Sequence, residues 1–254
     1  MPVLRLPLVR LKPTHVQFLV EGIGSFILTL TAFLANARYG NLVEVGSSFH
    51  PLWHLAPVAI GFMLAVLVFT FGYISGAHFN PAVTLGVMLA NVIRVELAIM
   101  YVVAQCAGCM LAAIFGAVVA GAGPDMPAPA IHDTTPEHIL RGFMAEGIFT
   151  AALVTTVLHV ACSRQKNNQF FGFAIGATLM CSLFAVGGIS GGGFNPALST
   201  ALQVVKCGAG YCGPLLNLWV YWAAPAAGAF GAAVVFKMVH PRQQQVDRAA
   251  EALY

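Results

Sequence analysis

One stretch of this 254-residue chain occurs twice. Residues 59–82, AIGFMLAVLVFTFGYISGAHFNPA, laid over residues 174–197, AIGATLMCSLFAVGGISGGGFNPA, agree at 13 of 24 positions. Upstream, Glu21, Gly22 and Ile23 recur as Glu146, Gly147 and Ile148. Six apolar runs fall at about 16–37, 53–74, 95–120, 139–161, 169–187 and 215–238, each near the roughly 20 residues that a helix needs to cross about 30 Å of hydrocarbon. Each half of the chain therefore holds three crossings. Three is odd, so the second half inserts upside down relative to the first, about an axis in the membrane plane. Whatever both halves build together meets near the bilayer centre.

The composition suits that reading and no water-solvated one. Hydrophobic residues make up 59% of the chain and charged residues 8%, against roughly 25% charged in soluble domains; the mean hydropathy is +0.82. The net charge of +3 comes from scattered rather than clustered basic residues, which gives no footprint for nucleic acid. Six spans leave no room for an enzyme domain outside the bilayer, and no Ser/His pair, paired aspartates or metal-ligand cluster suggests an intramembrane one. We therefore expect no enzyme, cofactor or metal. Cys106 and Cys109 have C-x-x-C spacing but lie within an apolar run without histidines or further cysteines, which is a poor zinc or redox site. Cys207 and Cys212 share a polar loop, where a disulfide is compatible with the spacing. The first apolar run follows Arg5, Arg10 and Lys12 like a signal peptide, yet at about 20 residues it exceeds a signal core and is read as a span.

Assigning the basic residues to alternate sides groups Arg5, Arg10, Lys12, Arg94, Arg164, Lys166, Lys237, Arg242 and Arg248, with Arg38, Arg141 and Lys206 opposite. The positive-inside rule then predicts that both termini are cytoplasmic. The connection 121–137 lies outside, and its four prolines and three carboxylates predict an irregular exposed loop. The expected organisation is a single membrane domain over residues 1–254. Its inverted repeats span about 10–120 and 138–240, and residues 1–12 and 241–254 form cytoplasmic tails.

Each repeated block ends in Asn-Pro-Ala and is followed by about ten residues, enough for half a span. Asn80 before Pro81, and Asn195 before Pro196, have the grammar of a helix start, with Asn as N-cap and Pro at the first helical position. The preceding glycines (Gly72 and Gly76; Gly187, Gly188, Gly191, Gly192 and Gly193) permit backbone that is neither helix nor strand. At membrane depth such backbone persists only where it is buried in protein or lines water. With each side-chain oxygen spent on capping, the amide hydrogens of Asn80 and Asn195 stay free to donate toward one point. Both half-helix dipoles present their positive ends there, which welcomes a neutral lone pair and repels a cation.

On SGAHFNPAVTLG at 75–86, SGGGFNPALS at 190–199 and the paired glutamates, the sequence resembles the aquaporin, or major intrinsic protein, family over nearly its whole length. The resemblance implies an all-α membrane protein of six transmembrane helices plus two half-helices. It also implies a pore in each protomer of a homotetramer, in a lipid bilayer, passing water and small neutral solutes. By the same resemblance Asn80, Pro81, Ala82, Asn195, Pro196 and Ala197 form the central constriction, while Glu21 and Glu146 hold the loops that carry them. A carboxyl inside a span is costly, and a proton relay is the alternative to that scaffold role. His78 matches a family position near the cytoplasmic vestibule, where loop packing and pH sensing are both open to it.

The outer selectivity filter departs from the family pattern. Its four positions fall on Ile60, Leu183, Gly192 and Leu198, where water-selective members typically carry an aromatic, a histidine, a small residue and an arginine. Every polar side chain is missing. Losing the arginine removes a fixed charge and five donors. A wide apolar ring favours neutral, weakly hydrated solutes, whereas a narrow one impedes water by dewetting. Tyr221 and Trp222 resemble the water-channel branch, and the glycerol branch's Asp after the arginine position is here Ser199. A passive channel is the leading expectation. An ion-permeable pore stands second, since exclusion of cations would rest on the half-helix dipoles alone. A coupled transporter, which needs midplane ionisable groups for its driving ion, comes third.

Overall fold

A computed structural model describes residues 13–37, 55–131 and 133–240. The described residues form eight α-helices, joined by turns and one short 3-10 segment. They are α1 (Pro13–Asn36), α2 (Ala56–Ser75), α3 (Pro81–Leu89), α4 (Val95–Ala120), α5 (Pro136–Ala161), α6 (Phe171–Ser190), α7 (Pro196–Gly208) and α8 (Val220–Val239). Among the described residues six stretches are long and apolar enough to cross a membrane: α1, α2, α4, α5, α6, and Gly213–Val239, which contains α8. The two short helices are α3, of 9 residues, and α7, of 13. The tails 1–12 and 241–254, with Arg5, Arg10, Lys12, Arg242 and Arg248, lie outside the described residues, as does Arg38.

The ends of four helices differ from the sequence reading for identifiable reasons. The last span was expected from residue 215, but Gly213–Asn217 is a 3-10 turn, and α8 starts at Val220. Helix α5 starts at Pro136, where proline at the first helical position costs no hydrogen bond. Gly72, Gly187 and Gly188, expected in irregular backbone, continue α2 and α6 instead. Those helices stop only at Gly76 and Gly191, which take left-handed φ values of 88° and 82° and donate their N–H groups to Gly72 and Gly187. Left-handed backbone is nearly free for glycine and costs other residues about 1–2 kcal/mol.

The two halves pack by the same rule. Helix α1 lies against α4, and α5 against α8, while α2 and α6 cross each other between the halves. A methyl group added to Gly108 would fall 2.1 Å from the Gly22 carbonyl oxygen, and one on Gly228 would fall 2.2 Å from that of Gly147. At the α2/α6 crossing a methyl group on Gly176 would fall 2.3 Å from the Gly61 carbonyl oxygen, and one on Gly61 would fall 2.7 Å from that of Gly176. In lipid, where apolar surface gains little from leaving its solvent, such backbone approach by small residues is a principal source of helix association. Outward-facing Phe62, Val66, Ile99, Leu111, Ile148 and Phe230 are exposed, as a bilayer-facing surface requires.

Candidate functional site

The two repeated loops meet end to end at the centre of the bundle. Asn80 and Asn195 both take extended backbone, and the oxygen of each side chain caps its own short helix. Asn80 accepts from Ala82 N at 2.8 Å; Asn195 accepts from Ala197 N at 3.1 Å and Leu198 N at 3.3 Å. Pro81 and Pro196 sit at the first helical position, and Ala82 and Ala197 are buried behind them. The amide nitrogens then reach across. Asn80 Nδ2 donates to the Phe194 carbonyl at 2.8 Å, and Asn195 Nδ2 donates to the Phe79 carbonyl at 2.9 Å. The sequence reading left both hydrogens of each amide free. One is in fact used, because the turns at Phe79 and Phe194 leave buried carbonyls that need a donor.

Those turns are strained alike. Phe79 and Phe194 have φ of 49° and 45°, and two residues earlier Ala77 and Gly192 have 52° and 64°. Strain of this kind persists only where the surroundings overdetermine it. Here the two glutamates do so. Glu21, fully buried, accepts from Ser75 Oγ (2.6 Å), His78 N (3.0 Å), Phe79 N (2.8 Å) and Gln105 Nε2 (2.9 Å). Glu146, equally buried, accepts from Ser190 Oγ (2.6 Å), Gly193 N (2.8 Å) and Phe194 N (2.6 Å). Tyr101 and Tyr221 complete the pattern by donating to the carbonyls of Ser75 and Ser190.

Four of these partners were missed in the sequence. Ser75 and Ser190 lie inside the repeat, and their identity was the available signal. Tyr101 occupies in the first half the place Tyr221 occupies in the second. Gln105, a buried polar side chain amid an apolar span, was legible as unusual by the rule that already singled out the glutamates. It bridges Glu21 to Thr84 Oγ1, which in turn meets His78 Nδ1 at 3.1 Å. His78 is buried edge-on against Tyr101. Its counterpart is Gly193, where a side chain would collide with Ser199 and Tyr221.

A cavity of about 650 Å³ passes both asparagines. Ile60, Leu183, Gly192 and Leu198 line it together with His78, so the four positions expected to form the filter share one cavity with the central turns. Leu183 packs against Gly192 so closely that a methyl group on Gly192 would lie 2.7 Å from Leu183 Cδ2. Leu28, Leu64, Leu153, Val157, Ile175 and Leu179 make most of the remaining wall apolar. Among the described residues no cysteine lines it, and no group of His, Cys, Asp or Glu is placed to hold a metal ion. The connection 121–137, expected to be simply exposed, contributes Pro124 to Pro129 to the lining and buries Met126 and Ile131. Gln203 Nε2 holds the Pro129 carbonyl at 2.8 Å, and Gly191 admits Pro129 at a distance no side chain would allow. Beyond that roof Cys207 and Cys212 form a disulfide.

Residues 10–236 match the family described as major intrinsic protein. Nodulin-26 of Glycine max is 31% identical over 226 residues, 88% of this chain and 77% of the relative. The glycerol uptake facilitator protein-like 6 of Lactiplantibacillus plantarum is 32% identical over 222 residues, 85% of this chain and 94% of that protein. In three dimensions the X-ray structure of the aquaglyceroporin from Plasmodium falciparum superposes with a TM-score of 0.74 at 19% identity, covering 90% of this chain and 98% of that one.

Proposed function

The chain belongs to the major intrinsic protein family, and on that premise we propose that it is a passive transmembrane channel for water and small neutral solutes, with a pore in each protomer of a homotetramer. The observation that carries this reading is one cavity lined by Asn80 and Asn195 of the two Asn-Pro-Ala turns together with Ile60, Leu183, Gly192 and Leu198. A solute at the centre meets one remaining amide hydrogen from Asn80 and one from Asn195, where two helix N-termini converge. A cation meets the same positive ends and loses its hydration without replacement. Glu21 and Glu146 act as scaffold, since their oxygens are taken up by loop N–H and hydroxyl groups. His78 packs the first loop through Thr84 and Tyr101.

Ile60, Leu183 and Leu198 give the outer filter an apolar wall, and the backbone around Gly192 supplies its polar edge. That combination favours weakly hydrated neutral solutes over ions. The orientation follows the basic residues: Arg94, Arg164, Lys166 and Lys237 face the cytoplasm, and Arg141 and Lys206 face outward.

Asn80→Leu and Asn195→Leu test the central constriction, because leucine keeps the approximate size and removes the cap, the crossing bond and the free donor. Each should lower solute flux about tenfold, the equivalent of about 1.4 kcal/mol of added barrier. Flux in proteoliposomes is compared at equal folded protein. Two folded, inserted and fully permeable variants would remove the asparagines from the path.

A further inference from the structure

The outer mouth of the cavity carries a charge that the filter lacks. Leu198, Leu202 and Lys206 recur every four residues along α7, and all three line the cavity, so Lys206 stands on the same helix face as the filter leucine. Eight residues place it about 12 Å farther out. Among the described residues it is the only lysine or arginine in that lining. Its position is fixed from both ends. The half-buried stem ends in Nζ, which donates to the Met126 carbonyl of the roofing connection at 2.6 Å. The next residue, Cys207, is disulfide-bonded to Cys212.

Two negative features surround it. The carbonyl end of α7 terminates there, and a helix C-terminus carries a partial negative charge of about half an electron. Asp125, exposed, lines the same mouth and adjoins Met126, whose carbonyl holds the Lys206 ammonium. It forms no ion pair with Lys206, whose Nζ turns to the Met126 carbonyl instead. Without its ammonium, the charges that the described residues bring to the mouth lining would be the Asp125 carboxylate and the α7 C-terminus. Both would concentrate cations in front of a filter that has no arginine to turn them back.

We infer that Lys206 is a selectivity-determining residue: its ammonium offsets Asp125 and the α7 terminus, and so keeps cations from accumulating at the entrance to the apolar filter. This rests on the channel reading above. Its effect is on ions, and neutral solutes pass it unchanged.

The test uses the full chain in proteoliposomes, with potassium conductance and glycerol flux measured on the same preparations. K206M should raise the ratio of potassium conductance to glycerol flux about two- to tenfold near 10 mM salt, where the screening length is about 30 Å, and by little near 1 M, where it is about 3 Å. K206R should match wild type. D125N alone should lower the ratio, and K206M/D125N should return it toward wild type. If K206M does not assemble, D125N and K206R carry the comparison. An unchanged ratio in the assembled charge variants overturns the inference. So does a rise in K206M that persists in 1 M salt or is not reversed by D125N, because that is the signature of a loosened roof rather than a lost charge. Wild type that passes no glycerol or water would instead sink the channel reading itself.

Discussion

Replacing Glu146 with alanine is expected to leave little folded protein to purify. Three buried donors, Ser190 Oγ, Gly193 N and Phe194 N, would lose their acceptor at once, at about 1–3 kcal/mol for each group left unsatisfied. The left-handed turn at Phe194 would then stand without the contacts that hold it, at about 1–2 kcal/mol more. The sum is comparable with the whole stability of an ordinary domain, about 5–15 kcal/mol. Glu21→Ala should behave alike, with one N–H of Gln105 also losing its acceptor while the other keeps Thr84. Monodisperse yield in detergent and thermal unfolding measure both variants, and Glu146→Gln, which keeps one carbonyl acceptor, should fall between them and wild type. Normal stability together with abolished proton-dependent flux would make the carboxyl a relay instead of a scaffold.

Leu198→Arg should change permeation more than any other single replacement in the filter. Leu198 is 7% exposed and shares the cavity wall with Ile60 and Leu183. Arginine there adds bulk, five donors and a fixed positive charge in a throat whose low dielectric strengthens Coulomb repulsion. Glycerol and urea flux should fall about tenfold, as about 1.4 kcal/mol of extra barrier would cause, and any cation conductance should fall further. Ile60 and Leu183 offer the new guanidinium no polar partner, so the added donors turn to the backbone of the second loop. Wild type and variant are compared at equal reconstituted protein. Unchanged solute flux and unchanged conductance would mean that residue 198 does not face the path.

The sequence made the architecture legible because the repeat carries its own geometry. Three spans per half and a repeated Asn-Pro-Ala turn leave one way for the halves to meet, and Pro81 and Pro196 mark the short helices to the residue. Other features depend on tertiary contacts that no local pattern encodes. Gly187 and Gly188 read as loop residues by composition, yet they continue α6 because the left-handed turn is supplied three residues later by Gly191. The crossing bonds from Asn80 to Phe194 and from Asn195 to Phe79 link residues more than 110 positions apart. The path of residues 124–131 along the cavity is held by Gln203, Lys206 and Gly191, none of which is near them in sequence. Gln105 was within reach of the rule applied to the glutamates. A buried amide in an apolar span asks for a partner as a carboxylate does.

Stopped-flow light scattering on liposomes containing the purified chain, challenged in parallel with water, glycerol and urea gradients, tests the passive-channel reading most directly. The account predicts water or neutral-solute flux well above that of empty liposomes, down the solute gradient, and independent of any imposed proton or sodium gradient. Flux no greater than through the lipid alone, or flux that appears only when an ion gradient is applied, would contradict it.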